Sequence, residues 1–522
     1  MFPLHSLMSL LPAGGQALAA GLHPEILRAW LDTLPGMPPE AAAQALREQI
    51  ERVGASGSLR ARLKMLDLMA EATLRIVAHF EADLDKARHP LSAADRRKVV
   101  AGNDLLKHHA RGYRDAIDRL QGGWRSRDDT LLLRRTLTRA MDMERRRLIL
   151  AYRAYAAGSK SAWRNLHILY RAARAGGLAA AGATDGEESP HRLYVKTILL
   201  ALAEPVQLAP GELDRVRFYL DRYARLAELQ EAPRPPRDVD SREGCFLIRQ
   251  NEEGPGRSLR KWGKTETHEG DLLLDCGPLL ERLRSQIDGL EHGVLPSKIG
   301  LPSVAHRPEY LALLKHLIAL WSAPPLRRFP RQHFKPRVEL AAGLDDIWRL
   351  LSGAAHKRRR EDPRRPDDGL HPVELSEWSV LNESPTGFAL HYLSGESSAL
   401  AVGTLVGLRA VERSQIHVCI VRRLVSGDGR CAELGLEKFA PRAVPTTIAW
   451  SGSAAGKPPA RAIVLPEVPA CGGSHAAIVA PHVLRPGKRV PYVLDGRKTT
   501  AIAGTPIARN AAFEIFSLGD PD

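Results

Sequence analysis

The residues best suited to chemistry lie in the short stretch NESPTGFAL, between two segments rich in Val, Leu and Ile. Asn382 and Ser384 carry short polar side chains that can bond to nearby backbone, and Gly387 permits a φ that other residues resist. A tight turn between two strands explains each of these residues singly. On a rigid strand frame, the same side chains could also contact a bound molecule.

Two arginine clusters precede this turn. In LRRFPRQHFKPRVELAAGL, Arg327 and Arg331 have an RxxxR spacing, Arg328 is adjacent, and the strand-like segment RVEL follows. In HKRRREDPRRPDDG, Arg360 and Arg364 have the same spacing. A guanidinium group can bind phosphate oxygens in bidentate fashion, whereas lysine supplies charge without the fork. Both clusters are therefore candidates for binding an anion.

The order of arginines, strand and turn resembles the PilZ domain, a small β-barrel family that binds cyclic di-GMP. PilZ domains place an RxxxR segment before the first barrel strand and a [D/N]xSxxG motif at a strand turn. The six residues NESPTG, from Asn382 to Gly387, match the second motif, and Phe388, Ala389 and Leu390 supply the apolar strand that follows it. The later segment CIVRRLVSGDGRCAELGLEKF also has the character of the family. The resemblance covers roughly residues 327 to 440.

The resemblance implies that the arginines clamp cyclic di-GMP while the turn contacts it from the barrel. The ligand-binding residues implied in this way are Arg327, Arg328, Arg331, Asn382, Ser384 and Gly387. The alternative arginines, Arg360 and Arg364, lie nearer to the turn in sequence, but in a segment that reads as a flexible insertion. Two features depart from the family: the long insertion between the first strand and the turn, and Asn382 where Asp is commoner.

Helices and strands are predicted for different parts of the chain. From about residue 24 to 230, apolar residues recur at three- and four-residue spacing, which predicts amphipathic helices packed as hairpins. The segments SAWRNLHILYRAARAGG and HRLYVKTILLALAEP are predicted to form one such pair. The core candidates are Trp163, Leu166, Tyr170, Tyr194 and Leu200. After Pro325 the segments become short, rich in Val, Leu and Ile, and separated by turn residues, which predicts a small antiparallel barrel or sandwich.

We therefore predict a multidomain α + β protein in which helical hairpins precede a small PilZ-like β-barrel and a short β-rich C-terminal unit. The predicted boundaries are 1–235 for the α-helical region, 245–323 for a mixed α/β connector, 324–445 for the barrel with a flexible insertion near 354–370, and 446–522 for the β-rich extension.

The charge balance favours an anionic partner. The chain has 522 residues, with 75 Lys and Arg against 60 Asp and Glu, and a formal charge of +15. This excess favours a nucleotide, a nucleic acid or an acidic membrane surface, although an arginine-rich proteome would produce it too. The basic run at 357–365 lacks interleaved aromatic residues and reads as a solvated loop, so a nucleic-acid partner is not favoured.

Several protein classes are disfavoured by missing patterns. The five cysteines form no CxxC pair, so neither a zinc site nor a disulfide framework is predicted, and the compartment is expected to be reducing. No apolar run reaches 18 residues, and the N-terminal segment lacks a basic region before Arg28, so we expect a cytoplasmic protein without a membrane span. The sequence contains neither a P-loop nor a GxSxG motif. We therefore expect no enzyme, no cofactor and no metal.

The resulting hypothesis is a cyclic di-GMP effector that relays the level of this second messenger to a protein partner of the helical region. The resemblance implies an output in motility, attachment or exopolysaccharide production. Ligand binding would order the arginine segment and move the helical half relative to the barrel. Two alternatives stay open: a PilZ-fold scaffold that binds no nucleotide, and a basic nucleic-acid-binding protein.

Overall fold

The computed structural model describes fifteen stretches of the chain, and all structural statements below concern these residues. The stretches are 24–54, 58–121, 126–180, 188–232, 243–259, 267–322, 336–353, 373–395, 400–410, 415–427, 432–440, 442–450, 458–466, 475–494 and 497–519.

The first half is built from amphipathic helices, as predicted. They are α1 (Pro24–Leu31), α2 (Pro39–Gly54), α3 (Leu59–Leu84), α4 (Ala93–Gln121), α5 (Arg127–Arg153), α6 (Lys160–Ala175), α7 (Pro190–Leu202) and α8 (Glu212–Tyr223). Serine residues cap four of them at the N-terminus, since a short hydroxyl side chain can accept from the free amides of the first turn. At α5, Ser126 and Asp129 form a reciprocal capping box.

The predicted helical pair and its core residues are confirmed. The rings of Tyr170 on α6 and Tyr194 on α7 stack with their centroids 3.8 Å apart. Trp163, Leu166 and Leu200 are also buried in the same cluster of apolar side chains. The three- and four-residue spacing placed these side chains on one face of each helix, and packing of the two faces accounts for their burial.

A small sheet and two helices complete this core. The strands are β1 (Glu228–Glu231), β2 (Cys245–Ile248), β3 (Arg257–Ser258) and β4 (Leu272–Asp275), in the order β1-β4-β2-β3, and α9 (Gly277–Glu291) and α10 (Pro308–Ser322) follow. Phe246 and Trp321 belong to the same apolar cluster as the helices before them. The indole Nε1 of Trp321 donates to the carbonyl of Leu199, 3.1 Å away. Described residues before and after the proline-rich stretch of the sequence therefore belong to one apolar core.

The predicted antiparallel barrel is also confirmed. Its strands are β5 (Arg337–Ala342), β6 (Ser376–Ser384), β7 (Gly387–Gly395), β8 (Leu405–Ala410), β9 (Ile416–Ser426) and β10 (Ala432–Ala440). They close in the order β10-β7-β6-β5-β8-β9, and α11 (Leu344–Leu351) lies between β5 and β6 in sequence. We call this unit the first barrel. Its interior is filled by Trp378, Leu390, Val421 and other apolar side chains that alternate with outward-facing ones.

The chain ends in a six-stranded antiparallel sheet, which agrees with the predicted β-rich C-terminal unit. Its strands are β11 (Val444–Ile448), β12 (Ala460–Leu465), β13 (His475–Val479), β14 (Arg489–Leu494), β15 (Arg497–Arg509) and β16 (Glu514–Gly519), in the order β11-β12-β13-β16-β15-β14. We call this unit the C-terminal sheet. Its own core includes Val464, Val479 and Phe516.

The first barrel is joined to the helices at the end of β9. The amide of Ser426 donates to the carbonyl of Tyr155, which follows α5, at 2.9 Å, and the Ser426 hydroxyl lies 3.4 Å from Nδ1 of His89. His89 and Tyr155 meet edge to face with ring centroids 5.0 Å apart, and Tyr155 packs into the barrel core. We call this contact the β9 joint.

Candidate ligand-binding face of the first barrel

The β6–β7 hairpin carries the NESPTG motif. Ser384 pairs with Gly387, so Pro385 and Thr386 form the turn. The Ser384 hydroxyl donates to the carbonyl of Gly387 at 3.3 Å, and the amide of Lys438 on β10 donates to the carbonyl of Thr386 at 2.9 Å. The turn is therefore fixed both internally and against the neighbouring strand, and its polar side chains are held on a rigid frame.

Gly387 has a different reason to be glycine from the one predicted. Its backbone does not adopt a positive φ, so the conformational explanation is wrong. A Cβ atom at this position would instead lie 2.1 Å from the carbonyl oxygen of Leu436 on β10. No real side chain can occupy that space, because the obstacle is backbone. Gly387 therefore permits the close approach of two strands beneath the turn.

A β-bulge decides which way Asn382 faces. Val380 pairs with Leu390 and both are buried in the barrel, whereas the next pair is Asn382 with Ala389, which leaves Leu381 as an extra residue. Side chains alternate along a strand, so without the bulge Asn382 would share the inward side of Val380. The bulge places Asn382 on the outer face. Ser384 shares that face, since it is two residues further on.

The outer face next to Asn382 is nearly flat, because the neighbouring residues have very small side chains. Across the strands, Asn382 on β6 pairs with Ala389 on β7, Ala389 with Gly435 on β10, and Gly435 with Arg423 on β9. Cross-strand partners project from the same side of a sheet. The row therefore consists of a polar amide, two very small residues and an arginine. We call Asn382, Ser384, Ala389, Gly435 and Arg423 the small-residue face.

Arg423 is the site residue that the sequence reasoning missed. A second bulge, between the pairs Gly435–Arg423 and Leu436–Val421, makes Arg422 the extra residue and sets Arg423 on the outer face. A Cβ on Gly435 would be 3.0 Å from the Cβ of Arg423, so the glycine lets this side chain lie close to the sheet. The RR pair is visible in the sequence, but only the register shows which arginine borders the row.

The charges around this face differ in how tightly they are paired. Arg422 contacts Glu437 at 2.5 Å, and Lys438 contacts Glu383 at 2.7 Å. Arg423 lies 3.9 Å from Glu433, at the limit of an ion pair, and about half of its side chain is exposed. An exposed ion pair at this distance contributes little to the stability of the fold. The Arg423 guanidinium can therefore leave Glu433 and bind an anion with little loss of free energy.

Titratable groups beneath the face are held neutral. Burial, with a smaller contribution from nearby Lys438, lowers the pKa of His417 on β9. Burial also raises the pKa of the Cys419 thiol to about 12, so this thiol is not a nucleophile at neutral pH. Among the described residues, no group of three or more His, Cys, Asp or Glu side chains is placed to hold a metal ion. The face offers hydrogen bonds, a flat surface and a guanidinium group.

The structure brings together one half of the predicted site. Asn382, Ser384 and Gly387 lie on one hairpin, with the two side chains on the outer face. Both arginine clusters, Arg327, Arg328 and Arg331 as well as Arg360 and Arg364, lie outside the described residues. The choice between the clusters therefore stays a prediction.

Two family models match separate parts of the chain. Residues 25–235 match a family model described as the N-terminal domain of the cyclic-di-GMP receptor FimW, and residues 351–445 match the model of its middle PilZ domain. The cyclic-di-GMP receptor FimW of Pseudomonas aeruginosa is 22% identical, in an alignment that covers 94% of this chain and 90% of that protein. No solved structure is significantly similar. Across the described ranges, none of the helices combines the length and apolarity that crossing a bilayer requires.

Proposed function

We propose that this chain, whose residues 351–445 match the model of a PilZ domain, is a receptor for cyclic di-GMP, which binds on the small-residue face of the first barrel. The observation that carries this proposal is the placement of Asn382 and Ser384 on the outer face, beside Ala389 and Gly435 and opposite Arg423. The similar receptor from P. aeruginosa supports the choice of ligand.

The chemistry of the face suits this ligand. Cyclic di-GMP presents two phosphodiesters and two planar guanines. A row of Ala and Gly allows a flat ring to approach the sheet, and Asn382 and Ser384 at its edge can donate to and accept from a guanine. Arg423 at the opposite edge can meet a phosphate or the O6/N7 edge of guanine with two parallel hydrogen bonds. The remaining phosphate would be left for arginines outside this face.

The strand directions support the first arginine cluster. The carbonyl of Pro336, just before β5, accepts from the amide of Val380 at 3.0 Å, so the chain enters β5 beside the part of β6 that carries Asn382. Arg331 precedes Pro336 by five residues, which span at most about 17 Å. The second cluster instead rejoins the barrel at Ser376, where β6 begins, about 20 Å along the strand from Asn382.

The alternative cluster also has support. The match to the middle PilZ domain covers residues 351–445, which include Arg360 and Arg364 but not the first cluster. The chain from Arg364 to Ser376 is long enough to reach the small-residue face if it folds back along the barrel. We favour Arg327, Arg328 and Arg331 because their segment enters at the correct end of the hairpin.

A relay to the helical region would pass through β9. Arg423 and the β9 joint lie on the same strand, with Ser426 three residues beyond Arg423. A ligand that draws the Arg423 side chain onto the face would displace the short segment of β9 from Arg423 to Ser426. Ser426 contacts His89 and Tyr155, so the displacement would reach the helical region. The proposed output is a change in how the helical region contacts a protein partner.

The proposal is tested with the intact chain and two sets of variants. We expect Arg327→Ala/Arg328→Ala/Arg331→Ala to abolish cyclic di-GMP binding, because a charge-assisted hydrogen bond contributes about 1.5–3 kcal/mol and several would be lost. Arg360→Ala/Arg364→Ala is the matched control and should leave the affinity nearly unchanged. The reverse pattern would assign the clamp to the second cluster, and binding that survives both sets would show that neither cluster contributes.

A further inference from the structure

The C-terminal sheet repeats the strand topology of the first barrel. Around the first barrel the neighbours run β5-β6-β7-β10-β9-β8, and in the C-terminal sheet they run β11-β12-β13-β16-β15-β14. Adding six to each number of the first order gives the second. Every ladder in both units is antiparallel. Strands β12, β13 and β16 therefore correspond to β6, β7 and β10, the strands that carry most of the small-residue face.

The two units differ in how they close. In the first barrel, β5 and β8 pair along a ladder from Val338–Ala410 to Ala342–Val406. The corresponding strands β11 and β14 meet through a side chain, since the amide of Val493 donates to the Thr446 hydroxyl at 3.2 Å. Side chains from both edge strands, among them Ile448 and Val490, fill a common core. The C-terminal sheet is thus a nearly closed form of the same barrel.

The corresponding outer face of the C-terminal sheet is apolar and buried. On β12, Ala462 and Val464 point into its own core, so the alternating residues Ile463 and Leu465 point outward. The outward residues of β12, β13 and β16 that belong to one buried apolar cluster are Ile463, Leu465, Ala476, Ile478 and Ile515. None of these side chains can form the polar contacts that Asn382 and Ser384 offer on the first barrel.

The first barrel covers this apolar face. The same cluster contains Leu405, Val418 and Ile420 from the outer side of β8 and β9, and Ile347 from α11. Polar contacts surround it: the indole Nε1 of Trp348 donates to the carbonyl of Thr446 at 2.7 Å, and Asn510 donates to the carbonyl of Gly403 at 3.0 Å. An apolar centre with a polar rim is the usual pattern of a protein interface.

The connecting sequence of the C-terminal sheet also lacks the nucleotide motif. Between β12 and β13, at the place of the NESPTG turn, the sequence reads PEVPACGGS and contains neither Asn nor Asp. Both the motif and the half-buried polar residues of the outer face are therefore present in one unit and replaced in the other.

We propose that residues 444–519 form a second barrel of the PilZ topology whose ligand-equivalent face has become the docking surface for the first barrel and binds no nucleotide. The partner of this surface is the outer side of β8, β9 and α11. The ligand part of the inference rests on the proposed function, whereas the docking part does not. Two consequences follow: one nucleotide-binding face per chain, and mutual protection of the two barrels.

The docking part is tested by hydrogen exchange on the intact chain. Ile478→Asp puts a charge into the shared cluster, and Val493→Asp is its control at an exposed position on β14. We expect Ile478→Asp to accelerate amide exchange in β8 and β9 by about tenfold or more, because these strands lose the cover of the C-terminal sheet. The control should leave their exchange unchanged. Unchanged exchange with Ile478→Asp would overturn the docking assignment, and Ile478→Ala gives the same comparison if the aspartate variant does not fold.

The ligand part is tested by cyclic di-GMP titration of Asn382→Ala/Ser384→Ala/Arg423→Ala against the unmodified chain. We expect all binding to be lost. Residual binding that protects β12, β13 or β16 from exchange would overturn the inference while leaving the proposed function intact. If the unmodified chain does not bind at all, the proposed function fails, and the exchange experiment still decides the docking assignment.

Discussion

The two barrels have the same strand order and use the same face in opposite ways. On the first barrel, the outer side of β6, β7 and β10 presents Asn382, Ser384 and two very small residues to solvent. On the second, the corresponding strands present Ile463, Ile478 and other aliphatic side chains, which are fully buried against the first barrel. Strand topology therefore determines which face corresponds to which, and side-chain chemistry determines whether that face binds a ligand or a protein.

One extra residue contributes to this difference. The bulge at Leu381 turns Asn382 outward on β6, whereas β12 pairs with β13 without any shift in register. Because side chains alternate along β12 without interruption, the residues between those that face its own core all face outward. A bulge next to a candidate binding residue fits the general tendency of bulges to redirect side chains at functional sites.

The largest effects should come from emptying the two barrel cores. Trp378 in the first barrel and Phe516 in the second are both fully buried. We expect Trp378→Ala and Phe516→Ala each to lower the free energy of unfolding by about 3–5 kcal/mol, measured by chemical denaturation. Only Trp378→Ala should weaken cyclic di-GMP binding in the folded protein, since Trp378 supports the strand that carries Asn382. Equal losses of affinity in the two variants would argue against a single binding barrel.

A second comparison uses two strand glycines. Gly387→Ala forces a methyl group against the Leu436 carbonyl, whereas in Gly519→Ala on β16 the nearest heavy atom is 3.9 Å from the new carbon. Overpacking of this kind costs about 1–3 kcal/mol, so we expect Gly387→Ala to lower the melting temperature and reduce nucleotide affinity. Gly519→Ala should do neither. A normal affinity in Gly387→Ala would show that the binding face tolerates movement between β7 and β10.

Acid should weaken the joint of the first barrel. Burial lowers the pKa of His89 from 6.5 to about 4, although the nearby Asp95 carboxylate opposes the shift. Between these two pH values the imidazole is neutral in the folded protein but protonated in the unfolded chain. The contribution of His89 to the free energy of unfolding is therefore constant above about pH 6.5 and falls as the pH decreases towards 4, by about 2 kcal/mol at pH 5. Denaturation at pH 7 and pH 5 measures the difference.

The control for this prediction is His89→Phe, which retains the ring contact with Tyr155 but cannot titrate. Its stability loss between pH 7 and pH 5 should be smaller than that of the unmodified chain by the same amount. An identical loss in both proteins would mean that other groups cause the pH dependence.

The smallest expected effect concerns Arg423. We expect Arg423→Ala to weaken cyclic di-GMP binding about tenfold, because one charge-assisted contact is lost. Arg423→Lys should restore only part of the affinity, since lysine has charge without the bidentate fork. The control is Arg489→Ala on β14 of the second barrel, at an exposed position that should have no effect. A similar change in both alanine variants would indicate a general effect of net charge.

Local patterns in the sequence predicted the helices of the first half and the strands of the barrel. Helical spacing identified Tyr170 and Tyr194 as core residues of a helical pair, and short Val- and Leu-rich segments identified the barrel. The NESPTG motif identified the hairpin that carries Asn382 and Ser384 because the motif, its turn and its strands are contiguous. In each of these cases the sequence pattern lies within the element that it predicts or only a few residues from it.

Register and packing between distant segments could not be predicted in this way. Arg423 reaches the small-residue face only because of a bulge relative to β10, and a bulge is a property of two strands, not of one. Gly387 was explained by its own φ, whereas the actual constraint is Leu436, which is remote in sequence. The repeat of the barrel topology was missed because it lies in strand order, with no repeated motif in the sequence.

Calorimetric titration of the intact chain with cyclic di-GMP tests the central claim most directly. We predict saturable binding to a single nucleotide-binding face in each chain. The binding should disappear in Asn382→Ala/Ser384→Ala. No measurable binding by the unmodified, folded chain at micromolar concentrations would contradict the claim, as would binding that is unaffected by the two substitutions.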